Sequence, residues 1–298
     1  MSYYFQMLMY TSLKYDAFKV VDETLQRFRL KYVDGWTPSF LSRTNQLLLT
    51  LMKLRLNIPI LDLAVRFNTS KASVNNIFIT HVYAIHELFY QPMLEGHLPS
   101  LLKCKGSMPA SFGDFSACRL VIDATEITQD VPGMDLGIQA QTYSSYKNNH
   151  TVKSVTGVAP NGAIVYVSKL YPGNASDVAI VEHSKMLSLL DAGDMILADK
   201  GFTIHKLLPQ GVHLNIPAFL TGKGQYTPAE VKLCRKIARS RIHVERANER
   251  IKNYEILNHV PQQYRYISTV IFQDCCVLVN FQDALIQEVA TKYDLSEY

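Results

Sequence analysis

The chain has 298 residues, of which 48% are apolar and 19% charged, enough for a sizeable core in one large or two smaller domains and too apolar for wholesale disorder. Its net charge of +4 does not by itself identify a nucleic-acid binder. The cysteines (Cys104, Cys118, Cys234, Cys275 and Cys276) are odd in number and form no CxxC, which speaks against a disulfide scaffold or zinc finger and suits a reducing compartment. No signal peptide is evident. The most apolar stretch, Ile267 to Ile286, is broken by Gln273, Asp274, Asn280, Gln282 and Asp283, so it reads as a core helix and no membrane partner is expected.

Residues 1–41 read as an N-terminal extension with weak helical periodicity from Tyr15 to Tyr32, ending near Trp36-Thr37-Pro38. No additional DNA-binding module is visible within them. A helix-turn-helix domain is expected over 42–91. Leu47, Leu48, Leu51, Met52 and Leu54 lie at helical spacing behind the possible N-caps Ser42 and Thr44. Pro59 opens a short helix to Phe67, Asn68 suits a left-handed turn, and Ser70 caps the next helix. That helix buries Val74, Ile77, Phe78, His81 and Val82 and presents Lys71, Ser73, Asn75, Asn76 and Thr80. Lysine can hold phosphate and asparagine can pair with adenine in the major groove. On pattern alone an ordinary helical hairpin fits equally well.

Residues 92–117, with their glycines and prolines, form a linker, and 118–290 a catalytic domain. Strands are expected at Arg119–Ile127, Val152–Val158 and Ala163–Leu170, the last two joined by Pro160-Asn161-Gly162, a hairpin signal. Residues 131–150 are polar and irregular. A helix at Asp177–Leu190, strands at Met195–Asp199 and Val212–Ile216, and helices at Pro228–Ile256 and Tyr266–Val289 follow. This order describes an α/β fold, a ribonuclease H-like mixed five-stranded sheet flanked by helices and preceded by an all-α helix-turn-helix domain.

Carboxylates at the ends of apolar strands are costly to bury unless compensated, and a divalent metal ion is an effective compensation. Asp123 and Asp199 sit on two such strands, so both face one crevice if the strands are neighbours. Glu245 lies on a basic helix, where Arg241, Glu245, Glu249 and Lys252 share a face. The same helix carries Lys232, Arg235, Lys236, Arg239, Arg246 and Arg250, a phosphate footprint or a solvated face. Asp177 reads as a first-turn helix carboxylate, and Glu126 faces away from Asp123 on the strand. Lys147 and Lys153 are further candidate DNA contacts. His243 reads as packing, and Cys275-Cys276 as core.

Asp123 in Ile122-Asp123-Ala124-Thr125-Glu126, Asp199 in Ala198-Asp199-Lys200-Gly201-Phe202, and Arg241-x3-Glu245-x6-Lys252 together resemble the DDE transposases of the PIF/Harbinger superfamily, most of all its eukaryotic ISL-type branch. The segments Thr142–Lys147, Pro172–Asp177 and Leu214–Pro217 match as well, and the resemblance covers about residues 42–285. It implies a metal-dependent endonuclease performing DNA cleavage and strand transfer, with Asp123, Asp199 and Glu245 as catalytic metal ligands for two Mg²⁺ ions (Mn²⁺ also possible). Arg241 and Lys252 would contact DNA beside them. It further implies double-stranded DNA as partner, both transposon ends and target, a homo-oligomer, and a nuclear location. The tyrosine often found three residues before the arginine is Ala238 here, so that support position is unmatched. Two alternatives are a domesticated DNA-binding protein without cutting activity and a ribonuclease H-like nuclease without transposition.

Overall fold

The computed structural model describes residues 3–38, 40–133, 135–220 and 224–286. Its helices and strands run in the order α1 (Tyr3–Thr11), α2 (Tyr15–Gln26), α3 (Arg43–Leu56), α4 (Ile60–Arg66), α5 (Lys71–Ile85), α6 (Gln91–Leu94), α7 (Leu101–Gly106), β1 (Cys118–Thr128), α8 (Leu136–Thr142), β2 (Tyr143–Ser144), β3 (Asn149–Val158), β4 (Ile164–Val167), β5 (Tyr171–Pro172), α9 (Asp177–Ser184), β6 (Met195–Leu197), β7 (His213–Asn215), α10 (Pro228–Lys252) and α11 (Ser268–Val279). No helix among the described residues is long and apolar enough to cross a membrane.

The chain divides into two compact units. The first gathers the helices up to Met93 with residues 128–130 and 250–282; the second holds 94–127, 131–249 and the described residues from Asp283 on. Residues 250–282, which the sequence grouping joins to the sheet, therefore cluster with the N-terminal helices. The reason is packing: α11 lies against α5 and the π turn His86–Tyr90 that extends it. The expected terminal helix stops at Val279, and residues 287–289 of that expectation lie outside the described ones.

In the helical unit, local chemistry sets each boundary. The Ser42 hydroxyl accepts from the Asn45 amide, and Asn57 closes α3 in the left-handed conformation (φ 47°). Asn68 makes the α4–α5 turn at φ 48°, and the Ser70 hydroxyl accepts from the Ser73 amide to start α5. Leu49, Met52, Ile58, Leu63, Ala64, Val74 and Ile77 then close the core between the three helices, the helix-turn-helix arrangement.

The second unit is built on one mixed sheet. Along it the neighbours run β2, β3, β1, β6, β7, with β4 and β5 also paired to β3. Its main strands are therefore ordered β4-β3-β1-β6-β7, the ribonuclease H-like α/β fold expected from the element order, while β2 and β5 add two-residue pairings at the start of β3. The β3–β4 hairpin is antiparallel and turns at Gly162 (φ 85°), whose amide donates to the Ala159 carbonyl at 2.8 Å. Gly157 lets β1 and β3 approach closely, since a Cβ there would meet Leu120 at 2.7 Å. Leu120, Ile122, Val155, Ile180, Ile196 and Phe202 are buried together beneath this sheet.

His81 is buried on α5, and its Nδ1–H donates to the Ile77 carbonyl at 3.0 Å. Burial pushes its pKa down from 6.5 to about 4. The unfolded chain therefore takes up a proton below pH 6.5 that the folded chain refuses. Stability from this residue is complete above pH 6.5 and is lost as pH falls toward 4, on the order of 3 kcal/mol in all. Denaturant titrations at pH 7 and pH 5 are expected to show this loss in the wild type and a smaller one in His81→Gln.

Candidate active site

Two carboxylates are brought together by strand register. β1 and β6 run parallel, with Val121 opposite Leu197. Asp123 and Asp199 each lie two residues further on, so both stand level with the carboxyl-terminal end of β6, Asp123 in the middle of the longer β1 rather than at a strand end as the sequence suggested. β6 ends at Leu197, so Asp199 stands in the loop that follows rather than on the strand. That loop is fixed: the Ala198 amide donates to the Asn215 carbonyl at 3.1 Å, and Phe202 is buried in the core.

The third carboxylate comes from α10. This helix buries Ile237, Val244 and Ala247, and the Ser240 hydroxyl donates to the Ser111 carbonyl at 3.1 Å. His243 stacks on Phe112, with ring centroids 5.7 Å apart, so it packs as its place in the sequence suggests. Burial lowers its pKa, aided by the nearby Arg246 charge. Glu245 remains exposed to solvent one turn beyond Arg241.

Arg241 joins the three. Its Nη1 lies 3.1 Å from Asp199 Oδ1, and its Nη2 lies 3.8 Å from Asp123 Oδ1 and 3.7 Å from Glu245 Oε1. Its own side chain is only 11% exposed, whereas those of Asp199 and Glu245 are 53% and 57% exposed. The guanidinium is thus an internal counter-ion for all three acids. Burial raises the Asp123 pKa, opposed by Arg241, by the Ala124 amide and Asn248, and reinforced by Glu245.

Two residues that sequence reasoning did not single out complete the Asp123 environment. Asn248 Nδ2 donates to Asp123 Oδ2 at 3.0 Å, and Thr156 Oγ1 donates to Asn248 Oδ1 at 2.7 Å. Asn248 follows Glu245 by three positions and Arg241 by seven, spacings that share a helical face and form the signal available for finding it.

The remaining candidates separate into several places. Lys153 is 14% exposed and turned inward, 3.4 Å from both Glu126 and Asp177 and donating to the Ala175 carbonyl at 3.1 Å. These contacts engage its ammonium within the protein. Lys147 is exposed, with its ammonium 5.1 Å from the Tyr146 ring centre. Lys252 is exposed and falls in the helical unit. On the helix-turn-helix, Lys71 is exposed and Asn76 half-buried, while the Ser73 hydroxyl contacts Ser70 and Asn75 Oδ1 accepts from the Tyr264 hydroxyl at 3.1 Å.

Chemically, three hard oxygen donors gathered on one cation suit a divalent ion. No three His, Cys, Asp or Glu among the described residues are yet spaced to enclose one. The guanidinium explains this, since its N···O separations of 3.1–3.8 Å exceed the roughly 2.0–2.6 Å of a Mg²⁺ or Ca²⁺ bond to oxygen. The donor set fits the metal, in an arrangement opened by Arg241.

Residues 122–280 match the family described as DDE superfamily endonuclease, and residues 39–89 match that described as helix-turn-helix of DDE superfamily endonuclease. No curated protein and no solved structure matches the chain. In EDTA, Arg241→Met is expected to lower stability by about 1–3 kcal/mol, less than is usual for breaking a fully buried ion pair because two of the acids keep about half their surface in water. Adding Asp123→Asn to it is expected to recover part of that loss in a denaturant titration.

Proposed function

The chain belongs to the DDE superfamily endonuclease family, whose match spans more than half of it, and we propose that it is a transposase of the PIF/Harbinger superfamily, in the ISL-type branch. In this reading it cuts double-stranded DNA at transposon ends and joins those ends to target DNA, acting in the nucleus as a homo-oligomer. The observation that carries it is the convergence of Asp123, Asp199 and Glu245 on one guanidinium.

Asp123, Asp199 and Glu245 would hold two Mg²⁺ ions, with Mn²⁺ as a substitute. Such ions, when bound, supply an activated water or 3′-hydroxyl and stabilise the leaving oxygen. The residues of the chain position and balance charge. Arg241 neutralises the carboxylates until another cation takes that role, which keeps three acids compatible at the end of an apolar sheet. Lys232, Arg235, Arg239 and Arg246 are exposed on one face of α10, suited to a phosphate backbone. Lys147 adds an exposed cation beside an exposed tyrosine, a pairing that can hold phosphate and stack on a base.

On the helix-turn-helix, Lys71 and Asn76 are the side chains to read or hold a transposon end, with Ser73 and Asn75 fixing the helix from which they project. Lys252 would hold DNA from the end of α10 in the helical unit.

Asp123→Asn, Asp199→Asn and Glu245→Gln are each expected to lower Mg²⁺-dependent cleavage and strand transfer on end-containing duplexes by roughly 10²–10³-fold or more. Retention of cleavage by all three variants would contradict the assignment, and nicking without joined products would favour a nuclease that does not transpose. Binding without any metal-dependent cutting would favour the domesticated alternative. Lys71→Ala is expected to weaken end binding across all sequences and reduce the slope of log affinity against log salt by about 1, read by fluorescence anisotropy at several NaCl concentrations.

A further inference from the structure

Three elements meet at Asp123. β1 carries it, β3 carries Thr156, and α10 carries Asn248, which is 6% exposed while Thr156 is 1% exposed. The direction of each hydrogen bond follows from chemistry. A carboxylate oxygen only accepts, so the Asn248 group 3.0 Å from Asp123 Oδ2 is its amide nitrogen. That leaves Asn248 Oδ1 toward Thr156, whose hydroxyl donates to it at 2.7 Å, much closer than the Asp123 carbonyl 3.4 Å from the same hydroxyl. Thr156 therefore sets the amide of Asn248, and Asn248 in turn occupies one of the two oxygens of Asp123. The other oxygen, Oδ1, is the one facing Arg241, 3.8 Å from its Nη2.

We propose, resting on the reading of Asp123 as a metal ligand, that Thr156 and Asn248 are positioning residues that hold the Asp123 carboxylate in one rotation, with Oδ2 committed to the protein and Oδ1 presented to the incoming cation. Without them the carboxylate would rotate between the two assignments, and each cation would have to select one rotation on binding. Outer partners of this kind change metal affinity by about 10–100-fold in other sites. The network also satisfies a buried asparagine and a buried threonine: each finds its partner in the other, and the chain of hydrogen bonds ends on a carboxylate.

The experiment measures binding of Mn²⁺ alone to the full chain, by isothermal titration calorimetry and by the loss of free-Mn²⁺ electron paramagnetic resonance signal, with circular dichroism and melting in EDTA to verify folding. Asn248→Leu is expected to weaken Mn²⁺ binding by about 10–100-fold. Thr156→Val, nearly isosteric, is expected to weaken it about 10-fold, and Thr156→Ser to restore it to within about 2-fold of wild type. The double variant Asn248→Leu/Thr156→Val is expected to bind no more weakly than Asn248→Leu alone, because both act through one carboxylate. If Asn248→Leu does not fold, the Thr156→Val and Thr156→Ser pair carries the test alone. Wild-type affinity in folded Thr156→Val, or failure of Thr156→Ser to restore binding, would overturn the proposal while leaving the metal site intact. Full Mn²⁺ binding by Asp123→Asn, or none by the wild type, would remove the active-site reading and this inference together.

Discussion

Three carboxylates share one guanidinium, and the arrangement of the sheet unit follows from that constraint. At an effective dielectric near 20, two like charges 4 Å apart repel by about 4 kcal/mol, comparable to a large part of a domain's net stability. Asp123, Asp199 and Glu245 can be grouped only with a cation among them. Arg241 supplies it from the same helix that delivers Glu245, which couples the charge balance to the packing of α10. The guanidinium is large and its contacts are longer than bonds to a metal, so it holds the acids in an open form that the ion-binding chemistry of the family would have to close.

The sheet provides the other half of this arrangement. A parallel pair places equivalent residues at one end, and the β1–β6 register sets Asp123 and Asp199 two residues beyond a matched pair. Thr156 on β3 reaches Asn248 on α10, which ties the first carboxylate to a second strand. The Glu126–Lys153–Asp177 contacts form a separate, largely internal charge network. Lys153 offsets one of the two negative charges in that network, which stands apart from the Asp123, Asp199 and Glu245 group on Arg241.

Legibility in the sequence followed the range of each interaction. Caps and turns are local, so Ser42, Asn68, Ser70 and the Asn161-Gly162 hairpin were readable where they stood. The three acids were readable as a group through their motifs, but that β1 and β6 are neighbours is a non-local fact that no single strand encodes. The pairings of β2 and β5 are two residues long, too short for any periodicity to register. Helix α8, capped by Asp135, is only seven residues long, too short for its Leu136, Ile138 and Ala140 to set a helical period. Arg241 and Lys153 looked like surface cations because a helical or strand pattern shows which face is polar, not whether that face meets solvent or a cluster of carboxylates. The placement of residues 250–282 with the N-terminal helices depends on contacts across more than 150 positions, beyond the reach of local pattern.

The most direct test of the shared site is anomalous diffraction from crystals soaked in Mn²⁺. The expected result is a Mn²⁺ peak coordinated by Asp123, Asp199 and Glu245, with the Arg241 guanidinium moved out from between them. A peak held by other residues, or a soaked crystal in which Arg241 still bridges the three acids and no ion is bound beside them, would contradict it.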